Sequence, residues 1–269
     1  MASGASSDRD CGPPARGLLG RLALIAAAAL LATACSTTPP PLDDPEAFAE
    51  YQQINDPYES FNRDVFEVNE VFDAYLLKPA TDAYRWVFPK PVRKVVSNFL
   101  SNIGLPLVFV NDVLQANFEA AGVTTTRLIV NTTAGVGGLF DVATDLGLPG
   151  HGNDFGLTMG TYGLHEGPYL MLPVFGPSNP RDAIGRVVDT FLDPVSYFYW
   201  TNHRNNYSWI QTGLSALDAR DRYYDDIENL RESSLDFYAA MRSLYRQNRA
   251  AEVEERKAWR DGREDPPGI

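Results

Sequence analysis

Cys35 is the residue whose chemistry is most clearly marked by its neighbours, because a basic and then apolar leader precedes it. Arg16 and Arg21 supply the positive charge, an uncharged run from 22 to 34 follows, and the residues at 32–34 are small. Secretory leaders have this arrangement, and the apolar run is too short to span a bilayer. The pattern predicts cleavage before Cys35 and acylation of its thiol, the processing that produces a bacterial lipoprotein.

An acylated Cys35 would hold the mature chain at a membrane outside the cytoplasm, since each buried methylene of an acyl chain contributes about 0.8 kcal/mol. Ser36 follows the cysteine, whereas Asp there would indicate the inner membrane of enteric bacteria, so we expect the outer membrane. An ordinary secreted protein with an incidental cysteine is the alternative, because Ala32 is a weaker choice than Leu near such a cleavage site.

Two histidines offer a second kind of chemistry. His151 and His165 flank a glycine-rich segment, with Asp154 and Glu166 close by in sequence. Such groups could bind zinc or transfer protons, for example in a lipid hydrolase, but two loop histidines near carboxylates also arise readily by chance. The chain has no nucleophile elbow, phosphate-binding loop, zinc-protease motif or calcium loop. We therefore predict a protein that is not an enzyme and needs neither a metal nor a cofactor.

The charge balance restricts the partners. The chain has 35 Asp and Glu against 23 Lys and Arg, a net charge of −12, and the leader removes one excess positive charge. Nucleic acid would be repelled, and any membrane contact beyond the anchor must be apolar. The only other cysteine, Cys11, leaves with the leader, which excludes disulfides and a cysteine metal site.

A helix is predicted to begin shortly after an extended, proline-rich tether at residues 36–44. Asp56 can cap its start, Pro57 suits the first helical position, and Glu59 suits the third. Apolar residues then recur every three or four positions, which indicates a helix that ends before Pro79.

Helical spacing continues through most of the remaining chain. It predicts a second helix at residues 81–88 and a third along an apolar stripe at 92–103. Apolar positions from 210 to 244 predict one long helix or two, with a solvated helix end after Ala250. No alternating pattern is long enough to predict a strand, so the expected fold class is all-α.

The middle of the chain, from residue 105 to 143, is markedly more apolar than the rest. Residues 128–140 are uncharged but too few to cross a bilayer. A buried helix of a soluble protein and a segment lying within one leaflet both explain this run.

Glycine is concentrated between residues 147 and 176, where Gly156, Gly160, Gly163 and Gly167 are spaced four, three and four apart. On a helix they would form a bare stripe that a backbone or an acyl chain could approach, and in a loop they would be turn residues. An aromatic cluster follows, and it suits a membrane interface slightly better than a core: Phe191, Tyr197, Phe198, Tyr199, Trp200 and Trp209.

Four stretches between residues 55 and 199 resemble the MlaA (VacJ) family of outer-membrane lipoproteins in order and spacing. These stretches are Asp56 to Arg63; Ser101 to Ile103 with Pro106; Arg127, Asn131, Thr132, Gly135, Gly137, Gly138, Asp141 and Ala143; and Phe155 to Gly160, Tyr162, Gly163, Gly167 to Tyr169, Leu172, Pro173, Gly176 to Ser178, Arg181 and Asp182. The helix from Trp209 onward matches the family only in character.

The resemblance implies an all-α, ring-shaped protein embedded in the periplasmic leaflet of the outer membrane, with a glycine- and proline-rich loop and a central amphipathic channel. It implies a trimeric porin as neighbour, removal of mislocalised phospholipids from the outer leaflet, and their transfer to a periplasmic lipid-carrier protein. It also assigns channel control to Phe61 and Asn62. Together with the apolar middle, it places the lipid path at these residues: Gly135, Gly137, Gly138, Gly156, Gly160, Gly163, Gly167 and Tyr169.

The expected organisation is a signal peptide at 1–34, a lipidated tether at 35–54, a helical domain at 55–250 and a charged tail at 251–269. A structural envelope lipoprotein that scaffolds a porin without handling lipid is the alternative function.

Overall fold

Helices make up nearly all the regular structure of residues 54–202 and 205–263, the parts of the chain that this computed structural model describes. The predicted leader, Cys35 and the tether lie outside the described residues. The predicted all-α class is confirmed, apart from one short hairpin. The helices are α1 Glu59–Phe72, α2 Lys78–Val87, α3 Lys90–Leu114, α4 Phe118–Thr133, α5 Val142–Asp145, α6 Phe155–Thr161, α7 Pro180–Leu192, α8 Pro194–Thr201, α9 Asn205–Arg222, α10 Tyr224–Ser233 and α11 Phe237–Arg260. The strands are β1 Leu170–Leu172 and β2 Gly176–Ser178.

The first helix does not end before Pro79 as the sequence predicts. A π-helical turn at Asp73–Leu77 joins α1 to α2 without a break, and Pro79 occupies the second residue of α2. A proline there costs little, because its missing N–H and fixed φ matter least at a helix start. The wider π turn therefore lets the chain stay helical where the sequence indicates two separate helices.

The third predicted helix extends further than its apolar stripe indicates. α3 has 25 residues and includes Pro106, and its most extensive packing is against α4. α4 ends at Thr133, and the chain then turns through three successive residues with positive φ: Val136, Gly137 and Gly138. The uncharged run at 128–140 is therefore half helix and half turn, and it carries exposed apolar side chains such as Ile129 and Phe140.

The glycine-rich segment divides between the two alternatives left open by its sequence. Gly156 and Gly160 lie within α6, whereas Gly163 and Gly167 follow it with φ of 88° and 75°, conformations that favour glycine. The segment continues into the antiparallel hairpin of β1 and β2, which the sequence did not predict. Two strands of three residues are too short to show a period of two.

Three helices, α9, α10 and α11, replace the one or two predicted in the C-terminal third. The predicted solvated end after Ala250 is wrong, because α11 continues to Arg260 and buries Val253, Ala258 and Trp259. These side chains pack where α11 meets α6 and the preceding loop.

Polarity is arranged in an unusual way in the described part of the chain. Polar and charged residues outnumber apolar ones among the buried side chains by 22 to 13, whereas 34 large apolar side chains are exposed. A protein surrounded by water buries mainly apolar side chains, and wide exposed apolar surfaces mark contact with a membrane or a partner. This surface therefore suits an apolar environment.

Candidate functional site

A cavity of about 490 Å³ lies between α3, α4, the loop after α5 and the end of α9. Its wall is built from polar and apolar groups in similar measure. The residues that line it are Asn98, Ser101, Asn102, Gly104, Leu105, Val108, Arg127, Asn131, Asp141, Gly150, His151, Gly152 and Arg222.

One face of α3 forms a wall whose character changes along the helix. Asn98, Ser101 and Asn102 come first, and Leu105 and Val108 follow one to two turns later. Residues three and four apart share a helix face, so the five side chains point toward the same space. The wall is polar at its start and apolar further along, as an amphipathic ligand requires.

The opposite wall holds a fixed ion pair. Arg127 donates through Nη2 to both carboxylate oxygens of Asp141, at 2.9 and 3.1 Å, and Asn131 Nδ2 donates to the same carboxylate at 2.9 Å. Burial raises the pKa of Asp141, but the bonds from Thr144 and Asn131 and the charge of Arg127 leave that pKa below its usual value. The pair therefore stays ionised, and its charges cancel.

His151 lies between the cavity and a buried polar network. Its side chain is 2% exposed, and Nε2 lies 3.1 Å from both oxygens of Asp112. Thr124 and Asn153 donate to the same Asp112 carboxylate at 2.6 and 2.7 Å. Trp259 packs its edge against the imidazole at 4.8 Å between centroids. The ring is held in place, and its Nδ1 atom has no partner in the described structure.

The structure separates the histidines and carboxylates that the sequence offered as a metal or acid–base site. His165 is exposed, Asp154 is paired with Arg249 at 2.6 Å, and Glu166 is paired with Arg246 at 2.9 Å. Residues 54–202 and 205–263 contain no group of three metal-ligating side chains in reach of one ion.

Asn62, predicted to control a channel, is a fully buried bridge between α1 and the hairpin. Its Nδ2 donates to Asp56 Oδ1 at 2.7 Å and to the carbonyl of Tyr169 at 3.1 Å, and its Oδ1 accepts from the N–H of Met171 at 2.9 Å. Asp56 also accepts bonds from Tyr238 and from Arg242 on α11. One side chain thus links three parts of the fold.

Phe61, the other residue assigned to channel control, packs against an apolar cluster beneath the hairpin. The buried members of this cluster are Val65, Tyr169, Met171 and Tyr238. Tyr169, predicted on the lipid path, is 1% exposed in this cluster, and burial raises the pKa of its hydroxyl.

None of the seven glycines predicted on the lipid path is among the residues that line the cavity. Gly138 packs against a residue that lines the cavity, since a Cβ added to Gly138 would lie 2.6 Å from the side chain of Asn102. Gly160 instead lets α6 approach Val253 and Arg181, with corresponding distances of 2.8 and 2.9 Å. Their part in a lipid path stays a prediction.

Several cavity residues were missed at the level of sequence. Asn98 was noted only as lying off the apolar stripe, although its spacing from Ser101 and Asn102 places the three on one face of α3. Arg222 gives no such signal, because it reaches the cavity only through the packing of α9 against α3.

A helical protein with a polar interior, an apolar exterior and a cavity of mixed polarity is the class defined by this fold and site. No helix in the described ranges combines the length and apolarity needed to cross a membrane. The MlaA lipoprotein model matches residues 54–252, and the chain belongs to this family.

Two relatives and one solved structure are similar to this chain over most of its length. The chain is 36% identical to a Rickettsia felis protein over 203 residues, 75% of this chain and 79% of the relative. It is 34% identical over 204 residues to the Escherichia coli intermembrane phospholipid transport system lipoprotein MlaA, covering 72% and 76%. A solved structure from work on the maintenance of bacterial outer membrane lipid asymmetry matches with a TM-score of 0.63 and 34% identity, covering 74% of this chain and 98% of that one.

Proposed function

We propose that this protein removes mislocalised phospholipids from the outer leaflet of the outer membrane and passes them to a periplasmic lipid carrier. The observation that carries the proposal is the cavity wall on α3, which is polar at Asn98 to Asn102 and apolar at Leu105 and Val108. A phospholipid has the same two-part character, with a charged headgroup and apolar tails.

The energetic need for such a wall is large. A phospholipid with roughly 30 acyl methylenes would cost on the order of 20 kcal/mol to move bare through water, at about 0.8 kcal/mol each. A transporter must therefore cover the tails with apolar surface while it solvates the headgroup. The E. coli relative carries phospholipid transport in its name, which supports the same activity for this chain.

In this proposal the protein lies within the periplasmic leaflet, beside a trimeric porin, and acylated Cys35 anchors it there. The exposed apolar side chains support the location within a leaflet. Phe191, Tyr197, Phe198 and Trp200 are all more than half exposed on α7 and α8. Aromatic residues of this kind are favoured at the boundary between lipid and water. In this proposal the helices enclose a ring-shaped channel, and the cavity is the described part of that channel.

Photocrosslinking in living cells tests lipid passage. A photoreactive residue at Ser101, in the cavity, should capture phospholipid, whereas the same residue at Lys257, on α11 and not among the residues that line the cavity, should not. Capture at neither position, together with normal lipid asymmetry in a deletion strain, would overturn the proposal. A scaffold without lipid handling would give that result.

A lipid hydrolase is the second candidate, because His151 lines the cavity, its Nε2 lies 3.1 Å from Asp112, and its buried Nδ1 has no partner among the described atoms. The His151→Gln variant discriminates between the two. If the protein is a transporter, the variant should still transport phospholipid, and the lipid should stay intact. If it is a hydrolase, the variant should release no free fatty acid from phospholipid, whereas the wild type should release it.

A further inference from the structure

A second recess adjoins the cavity, and five of its ten lining residues are Lys or Arg. This groove, of about 410 Å³, lies between α3 and α9 and shares Asn98 and Arg222 with the cavity. The two spaces therefore meet at these side chains. The remaining cations of the groove are Arg85, Lys90, Arg93 and Lys94.

The sign of charge along this route is opposite to that of the whole molecule. Cavity and groove together hold six Lys and Arg against four Asp, within a chain of net charge −12. Two of the cations are paired with Asp221, which lies 3.2 Å from Arg85 and also binds Arg93. Lys90 and Lys94 are exposed, and no carboxylate of the described residues lies within ion-pair distance of either. The surplus positive charge is therefore available to a ligand.

Arg222 stands where the two spaces meet. Its side chain is 53% exposed, and its guanidinium lies 2.9 Å from Asp218, whose own side chain is only 3% exposed. Ser97 also donates to Asp218, at 3.4 Å. The donors of Arg222 that do not face Asp218 can therefore bind an anion, because a guanidinium has five N–H groups and one carboxylate uses at most two.

Buried polar atoms without partners line the same route. Oδ1 of Asn102, a residue that is 8% exposed, and Nδ1 of His151 have no hydrogen-bond partner among the described atoms, and both residues line the cavity. A buried unpaired polar atom costs about 1 to 3 kcal/mol. A ligand with hydroxyl or ammonium donors would satisfy the free Asn102 oxygen.

We propose that the cavity and the groove form one headgroup path, in which Arg222, Lys90 and Lys94 bind lipid phosphate and favour phospholipids of net negative charge. The proposal rests on the proposed transport function and names its preferred substrates. A zwitterionic headgroup brings its own ammonium, which competes for the phosphate and is repelled by the surplus cations. A phosphatidylglycerol headgroup brings a net charge of about −1 and no cation of its own, so the surplus cations attract it. Its hydroxyls and the ammonium of phosphatidylethanolamine can both donate to Asn102, so the preference comes from charge.

Competition between two lipids tests this preference in the full-length lipoprotein. The purified protein is incubated with mixed micelles of phosphatidylglycerol and phosphatidylethanolamine in equal amounts and repurified, and its bound lipid is measured by mass spectrometry. We expect about a three-fold preference for phosphatidylglycerol, the size that one or two exposed charge contacts provide. High salt should reduce the preference, because the groove is open to solvent.

The double variant K90Q/K94Q should remove most of the preference without uncovering a buried charge. Arg222→Gln should do the same, but it also deprives buried Asp218 of its partner, so Arg222→Lys is its control and should keep the preference. Lys257→Gln, which removes a cation that lines neither the groove nor the cavity, is the control and should behave like the wild type.

Equal binding of the two lipids by the wild type, or an unchanged ratio in K90Q/K94Q, would overturn the headgroup path and leave the transport function standing. A wild-type protein that retains no phospholipid of either kind would instead overturn the transport function itself.

Discussion

At the scale of single residues, Asn62 shows how one amide can hold a fold together. It satisfies Asp56, the carbonyl of Tyr169 and the N–H of Met171. Asn69 lies two helical turns further along α1 and repeats the arrangement, with bonds of 3.0 and 2.7 Å to Leu172 and Val174. Two asparagines seven residues apart share a helix face, and together they fix the hairpin on α1. The channel control proposed for Asn62 then has a physical route, since the residue sets where the hairpin lies.

Replacing Asn62 by Ala should therefore be severely destabilising. The change leaves three buried polar groups with one partner fewer, and each such loss costs about 1 to 3 kcal/mol, so we expect a loss of about 3 kcal/mol or more. Denaturant unfolding in detergent measures the change. Asn229→Ala, at an exposed position on α10, should shift the unfolding free energy by less than about 0.5 kcal/mol. Equal stability of the two variants would contradict this role.

The Arg127–Asp141 pair should make the free energy of unfolding depend on pH in the acidic range. The pKa of Asp141 is lower in the folded protein than its usual 3.8, so the folded state holds the carboxylate more strongly than the unfolded state does. Its contribution to stability is complete above that usual value and is lost as the pH falls through the lower, folded value. In Arg127→Gln the stability should change less over this range, and unfolding curves between about pH 5 and 2 test the difference. An identical pH profile in the variant would exclude the ion pair as the cause.

At the scale of elements, the turn after α4 is shaped to fit α3. Gly138 has φ of 89°, and an added Cβ would lie 2.6 Å from Asn102. Gly138→Ala must therefore displace Asn102 from the cavity wall, and we expect a destabilisation of about 2 kcal/mol together with weaker lipid capture from Ser101. Gly122→Ala, within α4 and with open space around it, should instead stabilise by up to about 1 kcal/mol. Destabilisation of the same size at both positions would show that the close approach is not responsible.

The elements also show which parts of the fold a sequence pattern can predict. The period of apolar residues predicted the helices around residues 61–76 and 92–103, because it depends on neighbours within a few positions. The predicted cap was wrong, since Tyr58 precedes α1 without a side-chain cap and Asp56 instead binds Asn62 and Arg242. The hairpin and the buried end of α11 depend on distant contacts. Buried Trp259 packs against His151, more than one hundred residues earlier in the chain. The two cavity residues Asn102 and Arg222 differ in the same way. Asn102 lies in one of the stretches that resemble the family, so the sequence could point to it, whereas only tertiary packing brings Arg222 to the cavity.

At the scale of the whole molecule, the distribution of polarity is the feature that the proposed membrane location explains. The buried network around Asp112 holds charges and amides, whereas the outer faces of α7 and α8 carry aromatic rings. In water this exterior would be a large aggregation hazard, but in lipid it is stabilising. Many members of the polar interior bond to one another, although thirteen buried side-chain atoms of the described residues have no partner. The apolar exterior and the polar interior thus both support the proposed location within a membrane leaflet.

The four tryptophans of the chain provide a direct test of that placement. Trp200 and Trp209 are 69% and 76% exposed, whereas Trp259 is 3% exposed. With Trp86 replaced by Phe throughout, one variant keeps Trp200 and Trp209 and another keeps only Trp259. Brominated acyl chains quench only the indoles that they touch, so in vesicles they should quench the first variant strongly and the second hardly at all. Strong quenching of Trp259, or none of Trp200 and Trp209, would contradict an apolar exterior immersed in the leaflet. Unbrominated vesicles of the same composition are the control, because they separate contact quenching from a change in folding.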